Sequence, residues 1–162
     1  MFLLFLAAQV FLFNNMVLFG TAFCFVYIAF ILFIPFKINH ILLMAVAFAG
    51  GLVTDLFYDS MGMNAAAMVF VAFIRRYWVS FITPRGGYEE ILSPTDRSLG
   101  LIWFIYYIFP LALLHHLVLF QVEAGEIWPT WYIFKKVFFS AIFTTSALIL
   151  IRNLFYSGSR KI

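Results

Sequence analysis

Few side chains here can do acid–base, nucleophilic or metal chemistry. Seven carboxylates and three histidines are spread over 162 residues, with a single cysteine, Cys24. The densest group is the stretch from Gly50 to Asn64, where Asp55 and Asp59 stand between Gly50-Gly51 and Gly62. His115 and His116 form the second group. A metal hydrolase built from these would need ligands on one face. Adjacent helical residues point about 100° apart, so the two histidines do not share a metal easily. No His-Glu-x-x-His and no nucleophile–base pair at a useful spacing occurs. The residues therefore point away from an enzyme, from a cofactor and from a metal site. Cys24 lies in an apolar run, and one cysteine makes no internal disulfide.

The elements that must position these groups are hydrocarbon-like. Hydrophobic residues make up 65% of the chain and charged residues only 10%, against about 25% charged in globular proteins. Mean hydropathy is +1.05. A soluble fold of this size cannot bury so much apolar side chain, so the chain reads as an all-α, polytopic transmembrane bundle in a single domain. The net charge of +3 is scattered, which excludes a nucleic-acid surface. The 23 phenylalanines are ordinary lipid-facing and packing material. The apolar start lacks a basic region and a cleavage site, and reads as a true or slightly truncated first span.

Six spans are expected, at about 2–13, 21–36, 41–58, 61–82, 99–121 and 131–154. Pro35 closes the second, and Pro110 should kink the fifth. Gly50-Gly51 and Ala65-Ala66-Ala67 permit close helix approach. The loop 83–98 carries Arg85-Gly86-Gly87-Tyr88 and is not a phosphate loop, since no strand precedes it and no Gly-Lys-Ser/Thr follows. Six spans put both termini on one side. That side receives Lys37, Arg75, Arg76, Arg85, Arg97, Arg152, Arg160 and Lys161, whereas the other receives only Lys135 and Lys136. The imbalance predicts cytoplasmic termini. Lys135 and Lys136 should snorkel or pair with an acid. A carboxylate within hydrocarbon costs roughly 2.5–3.5 kcal/mol on insertion scales and usually marks function, which singles out Asp55. Asp59 reads as part of a connecting turn.

The pattern Gly51-Leu-Val-Thr-Asp55-x6-Gly62-Met-Asn64-Ala65-Ala66 resembles the rod shape-determining membrane protein family MreD. Further matches run through most of the chain: Asn14-Asn15…Leu18-Phe19-Gly20, Ile34-Pro35-Phe36, Arg85-Gly86-Gly87-Tyr88-Glu89 and His115-His116-Leu-Val-Leu-Phe120. Asn64 stands where the family also uses a histidine. The resemblance implies a non-enzymatic scaffold of the cell-elongation machinery in the bacterial inner membrane. Its partners would be MreC, the filament protein MreB, the polymerase RodA and a class-B penicillin-binding protein, all beside membrane lipid. It also implies a fold similar to the substrate-binding subunits of energy-coupling-factor transporters. The residues expected to carry partner binding are Gly51, Asp55, Gly62, Asn64, Ala65, Arg85, Gly86, Gly87, Tyr88, His115 and His116. The alternative is a transporter subunit holding a small ligand in the outer half, at Asp55, Asp59, Asn64, His115 and His116.

Overall fold

The computed structural model describes Phe5, Gln9 and residues 17–18, 21–83, 93–125 and 128–155. Four long helices dominate it: α2 (His40–Tyr58), α3 (Met63–Phe81), α4 (Gly100–Ala124) and α5 (Trp131–Phe155). Before them come two short paired strands, β1 (Val17–Leu18) and β2 (Ala22–Phe23), antiparallel with Val17 opposite Phe23. A 3-10 turn (Val26–Ile28) and a four-residue helix, α1 (Ala29–Leu32), follow. Helix α2 packs on α3, α3 on α4 and α4 on α5, with β2 against α5.

Each long helix starts and stops for a local reason. The Asn39 side chain accepts from the amides of Ile41 and Leu42, at 2.9 and 3.3 Å, and opens α2. Asp59 closes α2 in the left-handed conformation, and Gly62, at φ +88°, precedes α3. Gly125, at φ +65°, closes α4. Helix α4 runs through Pro110. Proline has no N–H, so the Tyr106 carbonyl loses its partner within the helix. The Trp78 indole of α3 donates to that carbonyl instead, at 3.1 Å. A proline defect is thus turned into a contact between helices.

Three helices are long and apolar enough to cross a membrane: α2, α4 and α5, the last over Trp131–Leu154. At 1.5 Å per residue, 19 residues reach about 28 Å, close to the ~30 Å hydrocarbon thickness. Their outward side chains, such as Leu56, Ile102 and Leu154, are exposed as lipid-facing groups must be. Helix α3 is as long as α2, but Asn64, Arg75 and Arg76 dilute its apolar character. The expected span at 2–13 lies outside the described residues apart from Phe5 and Gln9.

The expected helical span at 21–36 is corrected. Residues 22–28 are a strand, an irregular link and a 3-10 turn, and they run through the core, with Val26 and Tyr27 fully buried. Buried non-helical backbone needs other partners, because lipid offers none. Side chains supply them. The Phe23 amide donates to Ser140 Oγ at 2.9 Å, and the Phe25 amide to Thr144 Oγ1 at 3.1 Å. Gln9 accepts from the Val26 amide at 2.6 Å and donates to the Cys24 carbonyl at 2.9 Å. Hydropathy registers only that these residues are apolar, which holds for either conformation.

Candidate functional site

The Gly51–Ala65 stretch folds back on itself. Helices α2 and α3 meet so closely that a Cβ on Gly51 would lie 2.3 Å from the Ala65 Cα and 2.7 Å from its nitrogen. Only glycine allows that approach. It brings the last turn of α2 beside the first turn of α3, whose own cap, Gly62, has no side chain to offer.

Asp55 takes the capping role from the neighbouring helix. Its Oδ2 accepts from the Ala65 amide at 3.0 Å, and its Oδ1 from the Asn64 amide at 2.9 Å. Oδ1 also accepts from the Ser60 hydroxyl at 2.6 Å and the Asn64 side-chain amide at 3.0 Å. Among the described residues four donors and no acceptor face the group, the pattern that suits a carboxylate over a carboxyl O–H. The positive end of the α3 dipole adds to its stabilisation. Asp55 is 6% exposed and forms no salt bridge among the described residues.

From Asp55 a chain of polar groups runs inward. The Asn64 amide also donates to Ser60 Oγ at 2.7 Å, and Asn64 Oδ1 accepts from the Tyr27 hydroxyl at 2.5 Å. The Tyr27 oxygen lies 2.8 Å from His115 Nε2. Since Tyr27 donates to Asn64, its oxygen must accept from His115, which assigns the proton to Nε2. His115 Nδ1 is then a bare acceptor, and it has no partner among the described residues. His116 takes the opposite tautomer. Its Nδ1 lies 2.6 Å from the Ala112 carbonyl, which can only accept. Its Nε2 accepts from Thr144 at 3.2 Å, and Thr144 in turn accepts from the Phe25 amide. The two imidazoles are thus held by different neighbours and diverge by 77°. Among the described residues no group of histidine, cysteine and carboxylate side chains could hold a metal ion.

Gly51, Asp55, Asn64, Ala65, His115 and His116 therefore converge in one half of the bundle, where their polar atoms mostly face one another. Gly62 sits in the turn beside them with open space around it. Arg85, Gly86, Gly87 and Tyr88 lie outside the described residues, as do Asn14, Asn15 and Gly20. A cavity of about 340 Å³ opens next to the polar chain, lined among others by Gln9, Tyr58, Asp59, Asn64 and Glu123. Lys136 stands at it, paired with Glu123 at 2.9 Å and over the rings of Phe120 and Phe23 at 4.1 and 4.8 Å.

Several residues escape a reading of the sequence alone. Tyr27, Gln9 and Ser140 look like ordinary span residues, and nothing local marks them. Arg75 and Arg152 look like topological charges, yet they are 3% and 2% exposed. Arg75 donates to the Tyr107 hydroxyl at 2.6 Å and to the Ile34 carbonyl, while Tyr107 donates to the Leu32 carbonyl at 2.8 Å. Arg152 donates to the carbonyls of Asp96, Gly100 and Thr95, at 2.8, 3.2 and 3.3 Å. A stretch of buried sequence that needs such partners is visible only once it is known to be non-helical. Comparison of the chain with family models, with curated proteins and with solved structures gives no match.

Proposed function

We propose that this chain is a non-enzymatic scaffold of the MreD kind, working in the cell-elongation machinery of a bacterial inner membrane. In this reading it crosses the membrane six times, with the broken segment 21–36 as its second crossing and both termini in the cytoplasm. Its architecture would be akin to that of energy-coupling-factor substrate-binding subunits. Its partners would be MreC and, through it, MreB, RodA and a class-B penicillin-binding protein, in support of peptidoglycan synthesis and cell shape.

One observation carries the reading. The motif residues are used to join helices: glycine for approach, aspartate as a cap, asparagine and histidine as links. The hydroxyls they meet, those of Ser60, Tyr27 and Thr144, belong to the same links between segments. What remains for a partner is the outer surface. At the end of α2 it is apolar, with Leu56 84% and Met61 97% exposed. Packing area dominates association in lipid, because polar bonds between helices average only about 0.6 kcal/mol there.

The test is co-purification with MreC and rescue of rod shape in cells depleted of their own MreD. Leu56→Trp should be tolerated by lipid but not by a packed helix. It is expected to lower MreC recovery with an unchanged melting midpoint. Normal recovery and normal rods would remove this face from the proposal, and failure of the unaltered chain to bind MreC would sink the whole reading.

A second reading rests on the cavity at Asn64 and Glu123. Its volume falls in the range of small-molecule sites, about 300–1,000 Å³. A transporter subunit would hold a ligand there. Loss of uptake of one metabolite on deletion, with cell shape intact, would favour it over the scaffold.

A further inference from the structure

At the other end of α2 and α3 lies a second cavity, of about 390 Å³. Lys37, His40, Arg75 and Arg76 line it, together with the apolar Phe36 and Leu43. No acidic residue lines it among the described residues. Arg75 is committed to Tyr107 and Ile34. Lys37 and Arg76 are exposed and have no hydrogen bond or ion pair among the described residues.

His40 adds an independent sign. Both of its ring nitrogens are shut off from solvent, and neither has a partner among the described residues. Phe73 and Tyr77 flank the ring, with centroids at 5.8 and 6.4 Å. An imidazole carries at least one N–H in either protonation state, so a buried donor here lacks its acceptor. Orphaned donors of this kind are rare and call for an explanation. The missing group is an acceptor, it sits among cations, and its site is walled on one side by hydrocarbon.

We propose that this cavity binds the phosphodiester of an anionic phospholipid. The shared chemistry is a phosphate balanced by the exposed Lys37 and Arg76, with an oxygen that accepts from His40 once the imidazole turns its N–H into the cavity. The lipid is favoured over free phosphate by position. The site lies where one helix begins and the next ends, and there Ile41, Tyr77 and Phe81 are 77, 58 and 79% exposed, as side chains facing acyl chains and headgroups would be. Basic pockets between helices at a membrane surface bind such headgroups. The leaflet follows from the proposed orientation, but the site does not depend on it, nor on any protein partner.

The experiment uses the purified full chain in a neutral detergent. Lipid adducts are counted by native mass spectrometry during titration with phosphatidylglycerol, phosphatidylcholine or inorganic phosphate. Phosphatidylglycerol should form a one-to-one adduct at concentrations where phosphatidylcholine does not. Each charge removed should weaken it about fivefold, so the Lys37→Gln/Arg76→Gln double variant should lose most of it. Lys37→Arg/Arg76→Lys should retain the adduct, as should Lys135→Gln on the distant helix α5. His40→Phe should weaken it by removing the ring N–H. Both altered cations are exposed, so the double variant should melt normally; if it does not purify, Lys37→Gln alone is read in the same way. Equal binding of the two lipids, or wild-type binding by the charge-removal variant, would overturn the site. Displacement of phosphatidylglycerol by millimolar inorganic phosphate would overturn the lipid as its source.

Discussion

The two ends of this bundle bury charge in different ways. At one end, Asp55 is held by backbone amides at the start of a helix. At the other, Arg75 and Arg152 are held by backbone carbonyls of irregular segments and helix ends. Asp55 has no salt bridge among the described residues, and the Lys136–Glu123 pair sits apart from both arrangements, at the rim of a cavity. A buried ion pair must offset two desolvation costs, and removing either partner strands the other. A charge met by backbone dipoles carries one such cost and also ties down chain ends that would otherwise be unsatisfied. The lesson is that buried charge here joins segments. The difference lies in precision. The carboxylate cap needs two helices in near contact, whereas the guanidinium reaches over several ångströms on a flexible stem.

That difference orders the expected effects. The largest should come from Gly51→Leu. Even a Cβ at this position would sit 2.3 Å from the Ala65 backbone, so a leucine forces α2 and α3 apart and withdraws Asp55 from its amides. Overpacking alone costs about 1–3 kcal/mol, and the lost cap adds about 0.5–2 kcal/mol. Little folded protein should survive purification. A melting midpoint within about one degree of wild type, as for a change of well under 1 kcal/mol, would break the claim that the cap depends on close approach.

Next comes Asp55→Asn. The amide keeps the shape but must place an NH2 against backbone N–H groups. Hydrogen bonds to charged groups are worth about 1.5–3 kcal/mol, and two or more are affected. The melting midpoint in detergent should fall clearly. Arg152→Lys should do less, since lysine keeps the charge and loses the fork, and one carbonyl of the three can still be reached. A loss of about 1–2 kcal/mol is expected from one or two missing bonds. If Arg152→Lys proves more damaging than Asp55→Asn, the ranking of the two ends by precision is wrong.

The legibility of these two ends in the sequence was unequal for a physical reason. Asp55 announces itself, because a carboxylate bracketed by glycines in an apolar run is anomalous at the level of composition. The small residues around it, Gly51 and Ala65, have one evident use, which is close approach. The helical rods follow from apolar run length, and the turn at Asp59–Gly62 from its glycine and acidic residues. Arg75 and Arg152 stand near the ends of apolar runs, where solvated topological charges also stand, so nothing local separates an interior clamp from a surface anchor. The broken segment is hidden more deeply. Its backbone is satisfied by Gln9, Ser140 and Thr144, which lie from 15 to 119 residues away. Those pairings exist only in the folded chain.

The smallest effect tests whether the polar chain beyond the cap matters at all. Tyr27→Phe removes one hydroxyl that donates to Asn64 and accepts from His115. The ring stays in the core, so no cavity opens. Asn64 keeps its contacts to Asp55 and Ser60, but its carbonyl loses a donor, and the His115 N–H is left without an acceptor. A net hydrogen bond is worth about 0.5–1.5 kcal/mol, and a stranded buried donor about 1–3 kcal/mol. A loss near 1–2 kcal/mol is therefore expected, read as a shift of a few degrees in the melting midpoint. In the double variant Tyr27→Phe/His115→Leu both partners of the inner bond are apolar, so much of the loss should return. Recovery would place the cost in the stranded imidazole. No recovery would place it in Asn64, and the chain would then end at the cap instead of linking it to α4.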